Sequence, residues 1–230
     1  MKGIINSIVE WDVINWSKAL DHWERNVFTN EKKLTCLELG GRRGGLSLWL
    51  ATKGNEVICS DYENPEPIAS KIHKEHSFIG TISYQAIDAT QIPYEDYFDI
   101  IVFKSILGGI SRNGNSHLNQ KVIDEVFKAL KPGGKLLFAE NLEASAIHRF
   151  FRKRLTRWGK YWNYLTIDEV PMMFKKYENV SFESVGFLGA FGRNEWQRSI
   201  LGHLDTVIFD KFLSRKMRYV VFGVATKPKE

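Results

Sequence analysis

Apolar positions along the chain alternate between two rhythms. Short, nearly continuous runs at Thr35–Leu39, Val57–Cys59 and Phe98–Phe103, and an alternating β-rich run at Thr81–Ile87, read as strands. Between them apolar residues recur at helical spacing: Leu46, Leu48, Trp49, Leu50 and Ala51, then Ile68–His76 after Pro65 and Pro67. Val122, Ile123, Val126, Phe127 and Leu130 follow on one face of a helix over Asn119–Leu130. Pro132 stops that helix, and Gly133 and Gly134 permit a reversal into the apolar run Leu136–Phe138. Strands spaced by helices in this way predict an α/β fold with a doubly wound parallel sheet. Right-handed crossovers then bring every strand's carboxyl end to one edge.

The flanks have other patterns. Residues 7–28 predict a helical cap with Ile14, Trp16, Leu20 and Trp23 on an apolar stripe, packed on the sheet or with Trp11 or Trp16 closing over a ligand. Ala144–Trp162 is basic and aromatic together, with Phe150, Phe151, Leu155 and Trp158 on one face and Arg149, Arg152, Lys153, Arg154 and Arg157 around it. It reads as a packed helix with a solvated basic side, a lid over an anionic acceptor, or a weak peripheral membrane contact. Thr166 and Glu169 suggest a capping box before a helix over Ile167–Lys176. Val180–Val185 and Arg218–Thr226 are β-rich, and the long connection Gly189–Ser214 between them carries helix.

At 230 residues and 43% hydrophobic composition the chain suits one domain. Its parts are a cap (1–32), a core (33–140), a helical insertion or lid (141–177) and the last strands with their helical connection (178–230). The net charge of +5 is modest and does not call for nucleic acid. Cys36 and Cys59 fall in strands without metal spacing, so we expect reduced core thiols, no metal and a cytoplasmic setting. No apolar run of spanning length and no secretory leader pattern is present. His73 and His76 read as surface residues.

The chemistry concentrates where strand meets helix. Gly40, Gly41 and Gly44 form a turn on which a ligand can lie, because no Cβ blocks the approach. Glu38 precedes the turn and Asp61 ends the next strand. Two carboxylates at adjacent strand ends suit ribose hydroxyls and a cationic group. A dinucleotide site instead wants G-x-G-x-x-G with a pyrophosphate on the helix, which Glu38 would repel.

The pattern E-x-G-x-x-x-G over Glu38–Gly44, the acid Asp61, Ile87-Asp88-Ala89-Thr90, FDIIVFKS and LKPGG resemble successive motifs of class I S-adenosylmethionine-dependent methyltransferases. The likeness covers residues 35–140 closely and 178–226 in outline. It departs from the family at Arg42, where a glycine is usual, and at Lys104, where Asp or Asn is often found. The resemblance implies a Rossmann-like seven-stranded sheet, mostly parallel with an antiparallel last strand, and S-adenosyl-L-methionine as cofactor. Gly40, Gly41 and Gly44 would surround its methionine part, with Glu38 near the amine. Asp61 with Tyr62 would take the ribose, Asp88 with Ala89 the adenine, and Trp16 and Lys104 would lie close by.

The implied activity is O-methylation of a small-molecule or glycan acceptor, and the basic insertion suits an anionic one. His148 is the first candidate base, with Lys104, Glu140, His117 and His203 behind it. Lys104 would contact substrate or Glu38, or merely cover the strand end. The alternatives are a nicotinamide-dependent oxidoreductase and a non-catalytic S-adenosylmethionine-binding domain.

Overall fold

The computed structural model describes residues 2–27, 33–155 and 161–229. Seven strands form one sheet: β1 (Thr35–Leu39), β2 (Glu56–Asp61), β3 (Thr81–Ala86), β4 (Phe98–Lys104), β5 (Leu130–Asn141), β6 (Glu178–Val185) and β7 (Val220–Thr226). Their order is β3-β2-β1-β4-β5-β7-β6. β1 to β5 are mutually parallel, and β7 runs antiparallel between β5 and β6. The register sets Glu38 opposite Cys59 and Asp61 opposite Ala86, so the first three strands end on one edge.

Strand alternation divides the core. Ile101, Phe103, Leu136 and Phe138 face a layer containing α6 (His117–Ala129) and α8 (Val170–Met173). Ile100, Val102, Leu137 and Ala139 face the opposite layer, built from α1 (Lys2–Val9), α2 (Val13–Val27), α3 (Gly45–Thr52) and the end of α4 (Glu66–His73). Cys36 and Cys59 are buried free thiols.

The cap is two helices rather than the one expected. Glu10 and Asp12 take positive φ values of 73° and 48°, which turns the chain between α1 and α2. α6 ends at Ala129, and β5 begins at once with an irregular register at Gly133 and Gly134. The expected helix over Ile167–Lys176 contracts to α8, although Glu169 accepts from both the amide and hydroxyl of Thr166, at 2.6 and 2.9 Å. α7 (Ala146–Leu155) forms within the insertion; Arg157, Trp158 and the side chains of Lys153 and Leu155 lie outside the described residues. After β6 come α9 (Glu195–Leu204), a π turn over Asp205–Phe209 and α10 (Asp210–Phe212). α5 (Leu107–Ile110) is a single turn after β4.

A buried polar knot joins the cap to this C-terminal connection. Asn15 donates to Asp12, Asp205 and the Tyr219 hydroxyl at 3.3, 3.0 and 2.9 Å. Tyr219 donates in turn to Asp12. Asp205 accepts from the Leu188 and Gly189 amides at 2.7 and 2.9 Å. Burial pushes the Asp12 carboxyl from 3.8 up to about 7, against the lowering by Tyr219 and Asn15. The unfolded chain releases that proton earlier, so Asp12 removes stability as the pH rises across this interval. Tyr219→Phe is expected to lower stability by about 1–3 kcal/mol, and by more at pH 8 than at pH 5, because only the anion needs the lost donor. Urea unfolding at the two pH values measures both effects.

Candidate active site

β1 delivers the glycine turn to the sheet edge. Gly40, Arg42 and Gly44 take φ values of 65°, 42° and 73°. Arg42 therefore occupies the left-handed region where a glycine is at ease. A Cβ on Gly40 would stand 2.4 Å from Ile106 Cγ2, and one on Gly44 would stand 2.4 Å from His73 Nε2. His73 is buried, not on the surface as expected. Its Nε2 bonds the Gly44 carbonyl and its Nδ1 meets the Tyr84 hydroxyl, both at 2.8 Å. His73 thus braces the turn from α4, and the spacing of Ala69, Ile72 and His73 on the inner face of that helix is the sequence signal for it.

Glu38 points behind the turn. Its Oε1 accepts from the Leu46 amide at 3.1 Å, and its Oε2 from the Ser47 amide and hydroxyl at 2.8 and 2.5 Å. These amides open α3, where unpaired N–H groups favour negative charge. Burial pushes the carboxyl up to about 7, while Ser47, Leu46 and Lys104 pull it down. Both oxygens serve the start of α3, which places the Glu38 carboxylate beneath the turn. The same bonds take up first-turn donors that a pyrophosphate would use.

The other two acids lie open. Asp61, at the end of β2, accepts from the Arg42 amide at 2.9 Å and the Tyr62 amide at 2.7 Å. The Tyr62 ring beside it is exposed. The Ile87 amide donates to the Asp61 carbonyl at 2.8 Å, which sets Asp88 one strand along. Asp88 Oδ1 accepts from the Thr90 amide and hydroxyl, each at 2.8 Å, with the half-buried Ala89 between them. Asp88 is exposed, and its other carboxylate oxygen has no donor among the described residues.

At the end of β4, Lys104 is half-buried rather than spread on the surface. Its Nζ donates to the Val9 carbonyl at 2.5 Å and stands 5.8 and 5.5 Å from the Trp11 and Trp16 ring centres. Burial lowers its pKa, opposed by Glu10, Glu38 and Asp12. It forms no hydrogen bond to Glu38. Trp16 is packed against the sheet in the cap-side core, its ring 5.0 Å from that of Trp11. The two tryptophans and Lys104 thus fasten the α1–α2 turn beside the strand ends.

Glu140 and His148 are not placed for proton transfer to an acceptor. Glu140 is buried and accepts from the Ile106, Leu107 and Asn141 amides at 2.6, 2.8 and 3.3 Å. It caps α5 and so holds Ile106 against Gly40. Burial pushes its carboxyl up to about 7. His148 is 1% exposed. Its Nε2 bonds the Phe187 carbonyl and its Nδ1 the Ser145 hydroxyl, both at 2.8 Å. A carbonyl only accepts, so Nε2 carries the proton and Nδ1 accepts from Ser145. Burial, with Arg152 assisting, lowers the imidazole to about 4. The ring is stacked on Phe191 at 4.7 Å in the contact between α7 and the loop after β6. His117 and His203 are exposed on α6 and α9.

An adenosyl sulfonium fits this edge by the chemistry of its donors. A glycine-rich turn leads to the half-buried Asp61 and the exposed Asp88 at neighbouring strand ends, and helix donors behind it are already occupied by Glu38. Residues 37–138 match the family model of the methyltransferase domain. The ubiquinone/menaquinone biosynthesis C-methyltransferase UbiE of Proteus mirabilis is 28% identical over 109 residues, 45% of this chain and 41% of that protein. The match thus spans about two fifths of the relative's length. Among solved structures, a SAM-dependent methyltransferase from Methanosarcina mazei superposes with a TM-score of 0.64 at 18% identity, over 90% of this chain and 97% of that one. Phosphoethanolamine N-methyltransferase 2 of Haemonchus contortus, solved with S-adenosyl-L-methionine, gives 0.62 at 17% identity over 93% of this chain and 53% of its own. With the strand order, these matches support a methyltransferase domain over residues 37–138 of the class I S-adenosylmethionine-dependent type.

Proposed function

We propose that the chain transfers the methyl group of S-adenosylmethionine to a small, anionic acceptor whose nucleophilic oxygen is already deprotonated in water. The observation that carries the cofactor half is the division of labour among the acids. Glu38 is spent on α3, while Asp61 and Asp88 stay open at successive strand ends. In this reading Asp61 accepts from the ribose hydroxyls and Asp88 from the adenine amine. Tyr62 and Ala89 line the same path, and Gly40, Gly41 and Gly44 let the methionine part lie against the turn.

S-adenosylmethionine supplies an electrophilic methyl on a sulfonium that leaves as a neutral thioether. The protein's share is orientation and exclusion of water. The α1–α2 turn, fastened by Lys104 to Val9, closes one side, and Ile106 closes the other across Gly40. The acceptor class follows from the proton. A sugar hydroxyl needs a base, and His148 and Glu140 have no free lone pair facing an acceptor. A carboxylate or acidic phenol needs none, and Lys104 stands at the end of β4 as a counter-charge. The reading therefore favours an acidic oxygen over a glycan hydroxyl.

Two measurements test this. Calorimetry should detect S-adenosylmethionine and not NAD, and Asp61→Ala should weaken the cofactor by about 1–3 kcal/mol through loss of hydrogen bonds to a charged acceptor. Equal affinity in that variant would remove Asp61 from the site. Ring nitrogen NMR should find His148 as the neutral Nε2–H tautomer, without titration between pH 5.5 and 8. A His148 that titrates near neutrality would restore it as a base and reopen ordinary hydroxyl acceptors.

A further inference from the structure

Of the fifteen large apolar side chains exposed among the described residues, six lie between 196 and 212, which concentrates them on one segment. Five of these, Trp196, Ile200, Leu204, Ile208 and Phe212, recur every four residues through α9, the π turn and α10. In an α-helix such a ladder drifts by about 40° at each step. The π turn over Asp205–Phe209, with its wider i→i+5 bonding, offsets part of that drift in the second half of the ladder. Asp205 anchors the inner side of the π turn through its bonds to Leu188, Gly189 and Asn15.

The charges of this segment are sorted as well. All three of its acids are engaged by the rest of the chain. Glu195 accepts from the Asp12 and Val13 amides, Asp205 is buried, and Asp210 is bound by Lys18 and the Gly186 amide, each at 2.7 Å. From Arg193 to Lys216 Glu195 is the one acid with an exposed side chain, while Arg193, Lys211 and Arg215 are exposed. α7 continues the same surface. It contains no acid, its His148 seats on Phe187 and Phe191, and Phe187 stacks on Phe209 of the π turn at 5.5 Å. Its Ile147 and Phe150 face outward.

We propose that this apolar, predominantly cationic face is a docking surface for an anionic lipid bilayer, with the 195–212 ladder lying in the headgroup plane. An aromatic and aliphatic stripe flanked by cations is the composition that such a surface selects. A second copy of the chain fits less well. A two-fold contact would set the cations of this face against themselves with Glu195 alone, already bonded to two amides, to pair them. The 186–219 connection leaves β6 at the same sheet edge as the glycine turn, but the ladder contains none of the residues assigned to the cofactor, so the inference does not depend on methyl transfer.

The purified chain should sediment with vesicles of phosphatidylcholine and phosphatidylglycerol in equal parts, and remain in the supernatant with phosphatidylcholine alone. Raising the salt to about 1 M, where screening acts within ~3 Å, should release most of it. Ile208→Glu combined with Phe212→Glu changes only exposed side chains. It should reduce the bound fraction about tenfold with circular dichroism and S-adenosylmethionine affinity unchanged. The proposal is overturned if the wild-type chain ignores anionic vesicles, if the double variant sediments like wild type, or if ultracentrifugation finds a dimer that the double variant splits.

Discussion

The glycine turn keeps its shape because a buried carboxylate holds the helix that follows it. Glu38 lies on the central strand β1 and reaches the first turn of α3 with both oxygens. An unpaired charge at that depth would be strongly disfavoured, and unpaired amides at a buried helix start nearly as much. Each defect removes the other. The turn between them then has little freedom, since strand and helix are tied across it. Gly41 must also remain a glycine, because a Cβ there would stand 2.9 Å from the Glu38 carboxyl carbon. The loop is preorganised from beneath, which leaves its upper side for a ligand.

The same device recurs one strand pair away. Glu140 on β5 caps α5 as Glu38 caps α3, and the element so fixed carries Ile106 to Gly40. Two acids on the carboxyl ends of β1 and β5 thus shape the walls of the cleft without entering it. This separates acids that build the site from acids that can meet a ligand. Exposure makes the distinction, since Asp61 and Asp88 keep contact with water while Glu38 and Glu140 do not.

Much of this was legible in the order of residues. The strands of the core are apolar runs of the right length, the turns between them carry glycine or proline, and the acids fall at strand ends, where register alone brings them to one edge. The direction of Glu38 was not legible, because adjacency to a glycine turn does not distinguish a carboxylate above the turn from one beneath it. Ser47 offers the only local hint, a hydroxyl in the first helical turn. The place of His148 was not legible for a different reason. The groups that bury it, Phe187, Phe191 and Tyr219, lie about forty to seventy residues later in the chain. Its neighbours in sequence suggested a basic, open helix. The break in the cap was hidden because Glu10 and Asp12 are not residues that announce a positive φ. The bonds that hold the turn come from Glu195, far along the chain.

That last contact shows how the two elaborations of the core depend on each other. Glu195 opens α9 and at the same time accepts from the amides that open α2, so one carboxylate serves two helix starts. Asn15 and Tyr219 extend the tie to Asp12 and Asp205, and Lys18 with Asp210 closes it at the far end. The cap, which borders the cofactor edge through Lys104 and Val9, is therefore bonded along its length to the segment that carries the exposed apolar ladder. The inward bonds of that segment consume its acids, and its outward composition is the remainder. A single requirement, that buried helix starts find partners, accounts both for the closed side of the cleft and for the one-sided charge of the surface beyond it.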